Sequence, residues 1–323
     1  LWAGHGVEGR SMTFVRVAGN PEPEGAEELW LEGRGGLRLR ALWAPALGQT
    51  RGTVLLCPGR TEFIEKYFEV AGELQRRGFV VFCLDWRGQG LSARELPNAE
   101  KGHFVSFDDP VNDHALVLRQ MADRLPQPHL LVAHSMGGAI MLRALQTRRV
   151  EVAGALFCAP MWGVKSLNGF VKGFAKFMTA IGAGGLYAPG VQSRWRREDF
   201  RRNAVTSDRE RHARTQGLIA ADRRLALAGP TLAWVAAAAE TMDGFTQPGA
   251  LTHIRCPIIV LSAEREMLVD NAAHARVLHG LPTAQGLVVA GAKHEIMMET
   301  DALRAAFWTQ FDALAAKVFA PAA

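Results

Sequence analysis

The sequence predicts an α/β fold in which helices flank a mostly parallel central sheet and one helical segment is inserted between two strands. Three observations carry this. First, short apolar runs recur: "TVLLCPG" (53–59), "FVVFCLD" (79–85), "HLLVAHS" (129–135), "VAGALFCAP" (152–160), "PIIVLSA" (257–263) and "GLVVAGA" (286–292). They are rich in Val, Ile, Leu and Phe without polar alternation, the pattern of strands covered on both faces. Second, helix-like segments separate them, and such alternation implies parallel strands joined by right-handed crossovers. Third, the rhythm breaks once, from about Met161 to Gly249, and then resumes. The later strands still need the earlier ones as neighbours, so this stretch reads as an insertion within one domain.

The elements follow in order. "EELWLEGRGGLRLRALWAP" (27–45) alternates around a Gly-Arg-Gly-Gly turn and reads as an antiparallel hairpin leading into the sheet. "YFEVAGELQRRG" (67–78) is a helix closed by Gly78, and "DPVNDHALVLRQMADRL" (109–125) a helix capped by Asp108 or Asp109. "MGGAIMLRAL" (136–145) has helical periodicity directly after a strand. In the insertion, "SDRE" (207–210) fits a capping box, which gives Ser207 a structural role. The resulting division is an N-terminal stretch, 1–11, read as an expression remnant or disordered start before Met12; a first core segment, 12–160; an inserted helical cap, 161–247; and a second core segment, 248–323.

Composition narrows the class. The chain has 323 residues, 48% hydrophobic and 21% charged, with a formal net charge of +5. That is an ordinary globular balance, able to bury a core, with a mild lean toward anionic partners. Four cysteines, Cys57, Cys83, Cys158 and Cys256, lie in or beside strand-like runs and not at metal-ligand spacing, which predicts reduced, buried thiols and no metal. No apolar stretch approaches a bilayer span, and "LWAGHGVEGR" has no signal-peptide core. A cytoplasmic location is expected, with peripheral contact at the inner face of an anionic membrane as an option. No nucleic-acid-binding motif accompanies the basic residues.

The chemistry centres on Ser135. It stands between "LLVA" and "MGGAIMLRAL", the strand–turn–helix context of a nucleophile elbow, with Ala133 and Gly137 as the small flanking residues. A sharp turn there exposes Oγ, and the helix N-terminus favours an oxyanion. A serine nucleophile needs a base oriented by a carboxylate, in the chain order Ser, acid, His. His294 directly follows the last strand, in "GAKHEIMMET". Three carboxylates follow "PIIVLSA" in "EREMLVDN": Glu264 at the strand terminus, Glu266, and Asp270. Asp270 suits the cap of a helix beginning near Asn271, which favours Glu266 as the acid and leaves Asp270 as the alternative. The oxyanion donors expected are the N–H groups of Met136 and Arg60, the latter reached through the conformational freedom of Gly59.

"CPGRTEFIEKY", "DWRGQGLS", "HFVSFDDPVND", "AHSMGG", "LSAEREMLVDN" and "GAKHEIMMET" occur in this order. Together they resemble the α/β-hydrolase group of monoacylglycerol lipases and bacterial lysophospholipases, which includes serine aminopeptidase S33-like hydrolases. The match runs from about residue 28 onward. "NAVTSDRERHARTQGLIAADRR" is similar to the bacterial lysophospholipase branch. The resemblance implies an α/β-hydrolase fold, Ser135 as nucleophile, Glu266 as acid, His294 as base, a helical cap from about 161 to 247, and no cofactor. Two positions depart from it: Pro58 stands where many relatives have His, and Glu266 where many have Asp. "DWRGQGLS" reads as a structural turn shaped by Asp85, Arg87 and the glycines.

In the cap, Phe170, Phe174, Phe177 and Ile181 share one helical face, a candidate lining for an acyl chain or a membrane contact. "RWRREDFRRN" (194–203) reads as a solvated face partly neutralised by Glu198 and Asp199, or as an attractor of lipid phosphate. The function expected is a serine ester hydrolase acting through an acyl-enzyme on single-chain lipid esters, lysophospholipid or monoacylglycerol. An aminopeptidase-type amide hydrolase or a non-catalytic ligand-binding homologue are the alternatives. Serine at the elbow, where a dehalogenase or epoxide hydrolase has Asp, excludes those two.

Overall fold

The computed structural model describes residues 14–319, so the reading of residues 1–11 lies outside the described residues. The predicted hairpin forms β1 (Glu27–Glu32) and β2 (Arg38–Ala44), antiparallel, with Glu27 opposite Trp43 and Glu32 opposite Arg38. At its corner Gly35 and Gly36 take φ of 72° and 75°, a left-handed backbone that glycine adopts without steric cost. Next come β3 (Gly52–Cys57), β4 (Phe79–Leu84), β5 (His129–His134), β6 (Gly154–Cys158), β7 (Ile258–Ala263) and β8 (Ala284–Val289). The eight strands lie in the order β1-β2-β4-β3-β5-β6-β7-β8. β2 runs antiparallel to β4, and the pairings from β4 to β8 are all parallel.

Successive strand side chains point to opposite faces, and here each face has its own core. Val54 and Leu56 of β3 join one, with Phe68 and Leu74 of α1 (Phe68–Arg76) and Phe307 and Phe311 of α8 (Asp301–Val318). Leu55 and Cys57 join the other, with Val111 and Val117 of α2 (Asp108–Gln120) and Ile140 and Leu142 of α3 (Ser135–Gln146). That double burial is why the runs carry no polar alternation. The exception is β8, an edge strand whose residues from Gln285 to Val288 are exposed. Cys57, Cys83 and Cys158 are buried free thiols and Cys256 is half-buried.

Among the described residues no strand lies between β6 and β7. The interval holds α4 (Gly169–Ala180), α5 (Arg209–Ala221) and α6 (Leu232–Phe245), and α7 (Asn271–Leu278) follows β7. No helix among the described residues is long and apolar enough to cross a membrane.

Three local expectations are corrected. α2 has Phe107 at its N-cap; Asp108 and Asp109 sit inside the first turn, and the Ser106 hydroxyl accepts from Asp108 N–H at 3.1 Å. Asp108 instead pairs with Arg143 of α3 at 2.7 Å. The cap of α5 is Asp208, which accepts from Arg211 N–H, and Ser207 N–H goes to Glu299 and not to Glu210 as a capping box would have it. In α4 the residues turned toward the core are Val171, Phe174, Ala175 and Met178, while Phe170 and Phe177 are 82% and 61% exposed. Phe170 and Phe177 therefore lie on the outer face and line no interior pocket in this structure.

Candidate active site

β5 ends at His134 and α3 begins at Ser135 with no intervening loop. Ser135 takes φ of 49°, a left-handed conformation that costs a non-glycine residue of order 1 kcal/mol or more and that its surroundings must hold. Those surroundings are tight. A Cβ on Gly137 would stand 2.4 Å from the Pro58 carbonyl oxygen and 2.5 Å from that of Cys57, at the end of β3. Only glycine lets the elbow approach the neighbouring strand this closely.

His294 Nε2 lies 3.0 Å from Ser135 Oγ, and His294 Nδ1 lies 2.7 Å from Glu266 Oε2. The other Glu266 oxygen accepts from the N–H groups of Leu268 at 2.8 Å and Val269 at 3.2 Å. Ser135, Glu266 and His294 are 9%, 6% and 3% exposed, so the chain of contacts is shielded from bulk water. Burial alone would raise the Glu266 pKa. The hydrogen bond and charge of His294, with the two N–H donors, outweigh it and hold the carboxyl at about 2. Asp270 is elsewhere: it caps α7 through Ala272 N–H at 2.9 Å and pairs with Arg276 at 3.0 Å. Glu264 is exposed and accepts from Gly291 N–H. Of the three carboxylates, only Glu266 reaches the imidazole.

Met136 lies in the first turn of α3, where an N–H has no acceptor in its own helix. The Arg60 N–H likewise has no acceptor among the described residues, whereas its neighbours are fastened. Gly59 N–H donates to Glu62, Thr61 N–H donates to Gln89 Oε1 at 2.5 Å, and Trp86 Nε1 donates to the Pro58 carbonyl at 2.8 Å. The expected freedom of Gly59 is corrected in kind. Its φ is not left-handed; what matters is its missing side chain, since a Cβ would meet Glu62 at 2.8 Å and His134 at 2.9 Å. The left-handed residue of this loop is Thr61, φ 65°. The Arg60 side chain leaves the loop, donates to the Ala228 carbonyl and lies over Trp234, 5.6 Å from the ring centroid. Burial without a carboxylate partner lowers its pKa to about 10.

Sequence reasoning missed the layer beneath. Glu62 accepts from Lys66 Nζ (2.9 Å), Tyr67 Oη (2.6 Å), His134 Nδ1 (3.1 Å) and Gly59 N–H. The other nitrogen of His134 faces the carbonyl oxygen of His294 at 3.2 Å. Both ring nitrogens of His134 thus face acceptors, an arrangement that favours the doubly protonated ring. Burial opposes that charge, but Glu62 outweighs it and the pKa is raised. Gln89 is the second omission: it holds Thr61 and places its amide 3.5 Å from Met136 Sδ, touching both the loop that carries Arg60 and the first turn of α3. Arg87 and Asp85 are structural as expected. Arg87 grips Asp113 at 2.6 and 2.9 Å, and Asp85 accepts from Ile64 and Leu91 N–H.

A family model described as serine aminopeptidase, S33, matches residues 48–301. The chain belongs to the S33 family. Lysophospholipase L2 of Escherichia coli (strain K12) is 34% identical over 271 residues, 78% of this chain and 76% of that protein. The monoacylglycerol lipase of Mycolicibacterium smegmatis is 32% identical over 111 residues, 34% of this chain and 38% of that one. Among solved structures, a soluble variant of the monoglyceride lipase of Saccharomyces cerevisiae aligns with TM-score 0.71 at 17% identity, over 91% of this chain and 96% of that chain. A lipase in its open form aligns with TM-score 0.72 at 18% identity, over 92% and 100%. The S33 match and the α/β-hydrolase fold make the protein a serine hydrolase that works through an acyl-enzyme.

Proposed function

We propose that the protein hydrolyses carboxylic esters of single-chain lipids, with Ser135 as nucleophile, His294 as general base and acid, and Glu266 as the orienting carboxylate. The observation that carries this is the unbroken path Ser135 Oγ–His294–Glu266 at 3.0 and 2.7 Å. Glu266 fixes the tautomer with hydrogen on Nδ1, leaving Nε2 free to take the serine proton as Oγ adds to the ester carbonyl. The oxyanion forms against the N–H groups of Met136 and Arg60. His294 then returns the proton to the leaving alcohol. Water, activated by the same imidazole, releases the fatty acid from Ser135. Lipid esters are favoured because relatives bear the names lysophospholipase L2 and monoacylglycerol lipase, and residues 161–247 are assigned as the cap over the serine. Ser135→Ala should lower kcat on a short p-nitrophenyl ester by about 10⁶-fold, to the detection limit, with an unchanged melting temperature. Hydrolysis persisting at a tenth of the parent rate would refute the assignment.

A further inference from the structure

Two loops that the proposed mechanism draws on each carry a shielded carboxylate beside a reacting residue. Glu62 stands two residues after Arg60, whose N–H is a proposed oxyanion donor, and Glu295 directly follows His294. One side chain joins the two loops. Lys66, in the 3-10 turn Ile64–Tyr67 ahead of α1, places its Nζ 2.9 Å from Glu62 Oε1 and 2.5 Å from Glu295 Oε1, 229 residues away. Lys66 and Glu62 are buried and the Glu295 side chain is 13% exposed, so the bridge is shielded from water. Each end is fastened in turn. The other Glu62 oxygen accepts from Gly59 N–H and from Tyr67 Oη, and Glu295 N–H donates to the Val205 carbonyl at 2.8 Å. Burial opposes the charge on Lys66, but the two carboxylates outweigh it and the pKa is raised. A buried ion pair is often no more stabilising than apolar groups of the same size. Stability alone therefore does not account for three charged groups at this place.

We propose that Lys66 is a positioning residue of the hydrolase: its ammonium, held between Glu62 and Glu295, fixes the spacing between the loop of Arg60 and the loop of His294. The proposal deepens the ester-hydrolase reading and rests on it. Lys66 makes no hydrogen bond to Ser135, Glu266 or His294, so it acts only through the two carboxylates. Without the cation those carboxylates would repel each other along the line that joins the loops, and the donor and the base would move apart. An apolar side chain of the same length fills the space and leaves that repulsion unopposed.

The test is a double-mutant cycle read separately in kcat and KM on p-nitrophenyl butyrate, well below the melting temperature of every variant. Lys66→Met removes the bridge and Glu295→Ala removes its far end. Each should lower kcat about tenfold or more and leave KM within about twofold, since a displacement of about 1 Å costs up to about 100-fold in rate. In Lys66→Met/Glu295→Ala the loss should equal that of the larger single change and not the product of the two, because both break one link. A parental kcat in Lys66→Met, with only the melting temperature lowered, overturns the proposal by making the bridge a matter of stability. Losses that multiply overturn it by making the two residues independent, and a change confined to KM overturns it by assigning Lys66 to substrate binding. Should Lys66→Met fail to fold, Glu295→Gln and Glu295→Ala decide. The Gln amide oxygen still accepts from Nζ, so kcat should stay within about threefold of the parent in the first and fall in the second; equal values overturn the proposal. In all these outcomes the parent hydrolyses the ester, whereas a parent enzyme inactive on it would sink the ester-hydrolase reading itself.

Discussion

Exchanging Glu266 for Gln tests the acid with the smallest possible change of shape. One oxygen of Glu266 accepts from Leu268 and Val269 N–H, and the other faces His294 Nδ1 at 2.7 Å. In Glu266→Gln the amide oxygen must stay with the two N–H donors, because an NH₂ there would oppose them. The NH₂ then faces Nδ1, and the imidazole satisfies it only by moving its hydrogen to Nε2. Nε2 in turn donates to Ser135 Oγ and cannot take the serine proton. The loss is one of tautomer, of the kind that costs a serine protease about 10⁴-fold in kcat, equivalent to about 5.5 kcal/mol of barrier. In Asp270→Asn the side chain still caps α7, since Asn and Asp are equivalent N-caps, and kcat should change less than twofold. The assay is steady-state hydrolysis of p-nitrophenyl butyrate, with thermal melts to show that both variants fold. A loss in Asp270→Asn equal to or above that in Glu266→Gln would refute the reasoning. The pH profile adds a check: with its carboxyl held at about 2, Glu266 stays ionised throughout the working range, so activity lost on mild acidification arises at another group.

Two buried histidines should move stability with pH in opposite directions. His114 packs against Trp86 with its Nδ1 unpartnered, and burial lowers its pKa to about 4. It is neutral in the fold and must charge on unfolding, so its contribution is full above about pH 6.5 and is lost as pH falls toward 4, about 3 kcal/mol over that window. His114→Leu should flatten the acid limb of a urea-stability profile between those values; an unchanged slope would contradict the assignment. His134 is raised instead, so its contribution is full below about pH 6.5 and declines as pH rises through its folded value. Its charge is faced by Glu62, Lys66, Glu295 and Tyr67. His134→Gln should cost about 2–3 kcal/mol at pH 6 by leaving buried acceptors short of donors, and should lower kcat through the loosened His294 carbonyl. A variant as stable and active as the parent at pH 6 would show that the second ring contact does nothing.

How much of this was legible before any coordinates follows from the range over which each signal acts. The strands were legible because burial on both faces writes itself into consecutive residues, as in Thr53–Cys57. The elbow was legible because Ser135, Ala133 and Gly137 are neighbours in sequence as well as in space. Asp270 could be set aside as a helix cap for the same reason, which left Glu266. The helices that start at 108 and 209 have their caps one or two residues from the expected positions because residues suited to capping stand side by side there. Ser207 and Asp208 both suit the position; Asp208 takes it, and the Ser207 N–H turns to Glu299, 92 residues away. In α4 the expected stripe Phe170–Phe174–Phe177–Ile181 interleaves with Val171–Ala175–Met178, and periodicity cannot rank the two; the structure turns Phe174 inward with the second set and leaves Phe170, Phe177 and Ile181 exposed. α4 packs against α6, and the choice between the faces is made by that tertiary contact and not by the sequence period.

The unread part of the site is the part built from long-range pairs. Glu62 and His134 are 72 residues apart, and His134 and His294 are 160 apart. Each reads as an ordinary polar residue in its own window. What they do follows only from convergence: the 58–61 loop through Gly59 N–H and the elbow through His134 Nδ1 meet at the Glu62 carboxylate, and the His294 carbonyl is reached from there through the other nitrogen of His134. This explains how a strained serine can hold its position. The 49° φ of Ser135 needs neighbours that cannot yield, and a buried imidazole held at both nitrogens, directly preceding the serine, is such a neighbour. On this account each residue proposed to perform the chemistry is marked by its own sequence window, while those that hold the three together are ordinary in theirs and appear only once the chain is folded.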